Sequence, residues 1–164
     1  MVSGLTAETQ VWRSAGCYNT IKDLVDINKE FITDAFDLDQ MCFVCNRARA
    51  KHVGYSDNLV EILYGYRDSF GSSRCTKLVW TADTELLVST NNYVAYDSET
   101  TELNWVKAGE LQVDMRLVAE DAYITVKSVK KTSEYKRIYS LTTEDGNFSI
   151  KLGVIVRGEK LWLN

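Results

Sequence analysis

Proline is absent from this 164-residue chain, where average usage would supply about eight. Its turns must therefore be marked by Gly, Asn, Asp and Ser. Histidine is nearly absent too, with His52 the single example. The only cysteines are Cys17, Cys42, Cys45 and Cys75. They are too few for a disulfide scaffold at this length, which fits a reducing, cytoplasmic setting. No run of about 18 apolar residues occurs, so no membrane-spanning helix is expected. The opening Met1-Val2-Ser3-Gly4 lacks the basic and apolar regions of a secretion signal. Positive charge is not concentrated either: residues 1–82 carry 9 basic and 10 acidic groups, and the remainder 10 and 13. That excludes a broad nucleic-acid footprint. A net charge of -4 on a mixed surface makes a monomer the expectation.

What is present is a chain that folds. Hydrophobic residues make up 45% and charged residues 26%, unlike a disordered polar tract. At this size roughly two thirds of the unfolded surface is buried, enough for one core. Short apolar–polar alternations dominate: Thr9–Arg13, Met41–Val53, Arg74–Thr81, Glu85–Ser89, Asn92–Tyr96, Ala122–Lys130, Tyr135–Thr143 and Phe148–Val156. Each is bounded by turn residues, the mark of half-buried strands. Helical spacing is confined to Ile21–Val25, Ile27–Ala35 and Ala108–Gln112. The span 34–73 is the least regular and is expected to hold an insertion or a long hairpin. The fold class expected is all-β and antiparallel. Residues 16–25 and 104–117 echo one another as strand, then apolar–acidic turn, which is compatible with two related halves.

Several stretches, taken in order, resemble the intein and hedgehog-type autoprocessing domain, known as Hint. Gly4-Leu5-Thr6-Ala7-Glu8-Thr9-Gln10-Val11 resembles the family's opening, a nucleophile followed by Leu, two small residues, an acid and Thr. Thr81-Ala82-Asp83-Thr84 is similar to the Thr-x-x-His motif. Residues 105–117, with Trp105, Val106, Ala108, Glu110, Leu111, Asp114 and Leu117, match the Trp-Val-x-Ala-x-Glu-Leu-x-x-Gly-Asp-x-Leu pattern, with Asp114 one place displaced. Residues 138–148 resemble the segment ending in His-Asn-Phe, and Gly153-Val154-Ile155-Val156 the strand that carries a terminal His-Asn. The resemblance spans residues 4–158. It implies a twisted antiparallel horseshoe of two pseudo-symmetric halves with the chain ends meeting at its centre. The domain expected is 1–158, with 159–164 a C-terminal extension or flank. The length agrees with a form lacking an inserted endonuclease. The partners implied are flanking segments of a host protein, and no cofactor is implied.

The same resemblance identifies what the chemistry needs. Splicing begins with a thiol or hydroxyl at the first residue attacking the preceding carbonyl. That position is Gly4, with Ser3 a displaced substitute one residue upstream; attack demands near-contact geometry, so such a slip is costly. The histidine that acts on the scissile amide is replaced by Thr84, with Thr81 and Asp83 retained as hydrogen-bonding or turn residues. The upstream histidine falls at Gly146, the catalytic Asp at Ser140, and the terminal His-Asn at Arg157-Gly158. Asn164 could serve as a terminal Asn only if 159–163 were an insertion. The pattern is a scaffold retained with its reactive groups replaced, hence a non-splicing structural or interaction module. Two alternatives stay open: autoprocessing through Ser3 and Asn164, and a viral or host structural β module of Hint-like fold.

Cys42, Cys45, His52 and Cys75 are candidate zinc ligands, since structural zinc takes four such donors. Against this, residues three apart on a strand point to opposite faces; core cysteines are the competing reading. Trp12, Trp80, Trp105 and Trp162 are read as core or edge aromatics. Tyr55, Tyr64 and Tyr66 are read as packing residues, with a partner surface the alternative.

Overall fold

Alternation of apolar and polar side chains, period two, builds most of the molecule. In the computed structural model, residues 2–14, 16–68, 70–89, 102–120 and 123–161 are described. β1 (Gln10–Arg13) and β2 (Cys17–Thr20) form a ribbon with Trp12 opposite Tyr18. α1 (Ile21–Ile27) is capped by Thr20, whose hydroxyl accepts from Asp23 N–H, and it stops at Asn28, left-handed at φ 54°. There follow β3 (Phe31–Asp37), β4 (Cys42–Ser56), β5 (Leu59–Arg67), β6 (Ser73–Thr81) and β7 (Glu85–Ser89). β8 (Leu103–Lys107), β9 (Arg116–Leu117), β10 (Ile124–Thr132), β11 (Lys136–Thr143), β12 (Asn147–Ser149), β13 (Ile155–Arg157) and β14 (Glu159–Lys160) complete the chain.

Two sheets result. The larger runs β12-β13-β7-β9-β10-β5-β6 with β8 also on β7, and the smaller runs β14-β11-β4-β3. Every pairing is antiparallel except β11–β14. The connections β4–β5 and β10–β11 both pass from one sheet to the other, so β4 pairs with β11 and β5 with β10. Leu5 stitches the seam: it bridges Tyr139 of β11 and Trp80 of β6. Leu5, Ile62, Tyr64, Trp80, Leu86, Leu141, Phe148 and Val156 belong to the main core, each fully buried. A smaller cluster joins Phe36, Leu87, Val118 and Ile155.

Some expectations are corrected here. Ile27–Ala35 is not helical: past Asn28, Phe31, Thr33 and Ala35 are buried while Ile32 is 43% exposed, the period of a strand. Residues 34–73 are more regular than expected: most are strand, and the span includes most of the long β5–β6 hairpin. β5 hides this in sequence because Leu59, Val60, Ile62, Tyr64 and Gly65 are buried with little alternation. Phe148–Val156 is two strands, split by the turn Lys151–Gly153 with Leu152 left-handed at φ 65°. Ala108–Gln112 yields only a 3-10 turn, Ala108–Glu110. The segment Asn92–Tyr96 and Trp162 lie outside the described residues. Among the described residues, no helix is long and apolar enough to cross a membrane.

Candidate functional site

The retained Thr81-Ala82-Asp83-Thr84 turn ends β6 and faces the start of the chain. Thr81 and Thr84 are buried, and their hydroxyl oxygens lie 2.7 Å apart. Gly4 N–H donates to both, at 3.0 Å and 2.9 Å. Thr84 Oγ1 donates to Gly4 O at 2.9 Å, and Thr81 N–H donates to the same oxygen at 3.1 Å. One proton arrangement satisfies every group: Thr84 O–H on the Gly4 carbonyl, Thr81 O–H on Thr84 Oγ1, and Gly4 N–H shared between them. The Ser3–Gly4 amide is thus gripped from the nitrogen side by two hydroxyls. Asp83 takes no part in this grip; its Oδ1 is enclosed with no hydrogen-bond partner.

β11 completes the site. Leu5 N–H donates to Tyr139 O and Tyr139 N–H to Leu5 O, each at 2.8 Å. Further along the same strand, Thr142 and Thr143 pair with Glu159 and Lys160 of β14. The segments around Gly4 and Gly158 therefore both run along β11, with registers at Tyr139 and Thr142, about 10 Å apart at strand rise. Gly158 N–H donates to Gly146 O at 2.9 Å, and Gly146 N–H to Thr143 Oγ1 at 3.0 Å. Hence Gly4, Thr81 and Thr84 meet at one junction, and Gly146 and Gly158 at the other.

Both junction glycines sit where no side chain fits. Gly4 has φ +153°, and a Cβ built on it would lie 2.3 Å from Tyr139 O and 2.9 Å from Ile138 Cγ2. A Cβ on Gly158 would lie 2.4 Å from Leu141 O and 3.0 Å from Phe148 Cε1. Those contacts are far inside van der Waals distance, and the obstructing carbonyls are two residues apart on one strand.

Between the junctions lies a cleft of about 510 Å³ lined by Ser3, Lys51, His52, Ser140, Gly158 and Glu159 among others. Lys51 Nζ and Glu159 Oε2 form an ion pair across it. His52 Nε2 lies 3.0 Å from Gly54 O, and the ring rests 5.7 Å from that of Tyr139. Sequence reasoning placed Ser3, Gly158 and Ser140 by resemblance but left His52 outside this cleft. The signal that could have found it is register: His52 is the β4 residue opposite Tyr139. Arg157 turns outward: Nη1 lies 3.3 Å from Glu85 Oε1, and its guanidinium lies over the Trp105 ring, 5.5 Å from the centroid. Asn164 lies outside the described residues.

The zinc candidates do not assemble. Cys42 and Cys45 pair with Asp37 and Asp34 in the smaller sheet, while Cys75 pairs with Gly65 in the larger. Among the described residues no group of three or more His, Cys, Asp or Glu side chains could hold a metal ion. The core-cysteine reading is also corrected: Cys17, Cys45 and Cys75 are exposed and Cys42 is partly so. Cys17 lies on the short β2 and Cys75 on β6, at the edge of the larger sheet, while Cys42 and Cys45 lie at the start of the long β4. Of the aromatics, Trp80 and Tyr64 are fully buried, while Tyr55 is 45% exposed.

Solved inteins share this architecture over nearly the whole chain. The DnaB intein from Synechocystis sp. PCC 6803 superposes with a TM-score of 0.70 at 18% identity, covering 96% of this chain and 99% of that one. The Ssp DnaB mini-intein variant M86 gives 0.66 at 16%, covering 99% and 98%. The PabCDC21-1 intein gives 0.66 at 13%, covering 96% and 99%. No family model matches the chain, and no curated protein sequence does. The fold is the all-β Hint fold of inteins, as the motifs led one to expect.

Proposed function

We propose that this chain is a Hint-type domain derived from a protein-splicing element, no longer able to splice or cleave, which serves as a structural or interaction module within or beside a host protein. The observation that carries this reading is the closure of both junction seats by carbonyl oxygens of β11, at Gly4 and at Gly158. A nucleophile at position 4 and an amide at position 158 need both a reactive group and room for it; here each is lacking. The threonine pair that grips the Gly4 amide supplies hydrogen bonds yet no group that titrates near neutrality, so it cannot act as the acid for amide scission. What remains useful is geometry: the fold brings two chain segments side by side on one strand, and flanking host segments leaving them would emerge as neighbours.

Autoprocessing through Ser3 has less support. The threonines hold the nitrogen of the Ser3–Gly4 peptide and the Gly4 carbonyl, whereas Ser3 would attack the Val2 carbonyl, one residue earlier. The chain placed between two reporter proteins, with Ser3→Ala and Asn164→Ala versions alongside, tests the proposal. Expected is intact precursor in all of them, by gel and by mass. Ligated or cleaved reporters in the unmodified chain, lost in either variant, would establish autoprocessing instead.

A further inference from the structure

β6 is the last strand of the larger sheet, and one of its sides pairs with β5 along its whole length, from Ser73 opposite Arg67 to Thr81 opposite Leu59. In an antiparallel pair, the backbone groups of alternate residues face the neighbouring strand and the others face away. Thr81 N–H donates to Gly4 O, and Val79 O accepts from the Thr6 hydroxyl at 2.7 Å, so the odd-numbered residues of β6 face away from β5. Leu5 bridges Trp80 in the antiparallel sense, and the start of the chain thus already adds itself to this edge as a short strand. It then departs, diverted by the turn that Thr9 N–H closes on Thr6 O. Past that point the outward N–H and C=O groups of Ser73, Cys75 and Lys77 have no hydrogen-bond partner among the described residues. Ser73, Arg74, Cys75 and Lys77 are all exposed.

Charge decides what fits there. Arg67, Arg74 and Lys77 are exposed at this end of the β5–β6 hairpin. The neighbouring carboxylate, Asp68, is already engaged: its Oδ1 accepts from Phe70 and Ser72 N–H, and its Oδ2 lies 3.9 Å from Arg74 Nε, outside hydrogen-bond distance. Glu61 lies further along β5, opposite Lys130 of β10. A local excess of cations on a chain of net charge -4 repels a basic strand and attracts an acidic one. It also disfavours a second copy of the chain. Two β6 edges laid together would set Arg74 and Lys77 against Arg74 and Lys77, and opposed like charges destabilise a strand pair. Lysine on an open edge guards against such self-pairing.

We infer that the open edge of β6, from Ser73 to Lys77, binds an extended acidic peptide segment by strand addition. Main-chain hydrogen bonds to Cys75 and Lys77 supply the affinity, and the Arg74 and Lys77 side chains supply the preference for acidic neighbours. The inference does not depend on whether the domain splices.

Hydrogen exchange of the full chain followed by NMR, with and without an acetylated and amidated peptide of alternating valine and glutamate, tests it. One control peptide carries lysine in place of glutamate. Another is methylated at every backbone nitrogen, which keeps the carboxylates but leaves no N–H to donate. The acidic peptide should slow exchange saturably at the Cys75 and Lys77 amides and leave Arg74 and Thr76, whose N–H groups face β5, unchanged; neither control should do so. Lys77→Pro deletes an outward N–H that bonds nothing within the chain, at a place where an edge strand tolerates proline, and should weaken binding about tenfold. Lys77→Glu leaves the backbone untouched and should weaken it about fivefold by reversing one cross-strand charge pair. No saturable protection of Cys75 and Lys77, equal binding of either control peptide, or unchanged affinity in both variants would overturn the inference. Protection of the same amides that rises with protein concentration in the absence of peptide would overturn it as well, by assigning the edge to a second copy of the chain.

Discussion

At the scale of single residues, the two junction glycines carry opposite information from an ordinary turn glycine. Gly16 is left-handed, at φ +89°, but nothing lies within 4 Å of the Cβ it lacks. Gly16→Ala should therefore cost only about 1 kcal/mol, the conformational penalty alone. Gly4→Ala adds a collision with Tyr139 O and should cost about 3 kcal/mol. Urea melts of the two variants check the difference, and equal midpoints would remove the steric argument. Tyr64 offers a pH test. Burial pushes its phenol well above the ordinary value of 10.0, with the nearby Tyr18 adding to the rise. A raised folded pKa means the folded state retains the proton longer. Its stabilisation is thus complete below pH 10.0 and is lost as pH climbs from there toward the folded value. Tyr64→Phe should lose about 1 kcal/mol at neutral pH through the bond to Lys151 O, and should show a shallower decline above pH 10 in alkaline melts.

At the scale of elements, side chains substitute for missing sheet pairing. Asn147 of β12 accepts from Phe36 N–H at 2.7 Å and donates to Phe36 O at 3.0 Å, so it pairs with β3 as a strand backbone would. Asn147→Ala leaves both buried groups of Phe36 unmatched and should cost about 3 kcal/mol; hydrogen exchange should then open β3 and β12 together, whereas opening confined to the 143–147 turn would contradict this. Thr20→Ala removes the cap of α1 and should cost about 1 kcal/mol, read by the same melts. How much of this was legible depended on solvent. β4, β6, β10 and β11 each expose a face over part of their length and so announced themselves by alternation. β5, buried at most of its positions, shows little alternation, and the start of β3 reads as helix in sequence because Phe31 and Ala35 fit helical spacing. The site was legible only as far as side chains define it. Gly4, Thr81 and Thr84 could be placed by motif order; Tyr139 and Leu141 act through carbonyl oxygens, which leave no trace in residue type.

At the scale of the molecule, the crossing of β4–β5 and β10–β11 between sheets sets the centre where both junctions lie. The N-terminal segment and β14 share β11, and carbonyls of that strand occupy the space a Cβ would need at Gly4 and Gly158; on the proposed reading this leaves no room for reactive side chains. Restoring the reactive groups without moving β11 should consequently fail. The most direct measurement is a reporter-flanked precursor carrying Gly4→Cys, Thr84→His, Gly146→His, Arg157→His and Gly158→Asn together, followed by intact mass over time. The steric account predicts a precursor of unchanged mass, less stable than the parent chain. Ligated reporters accompanied by the excised domain would contradict it.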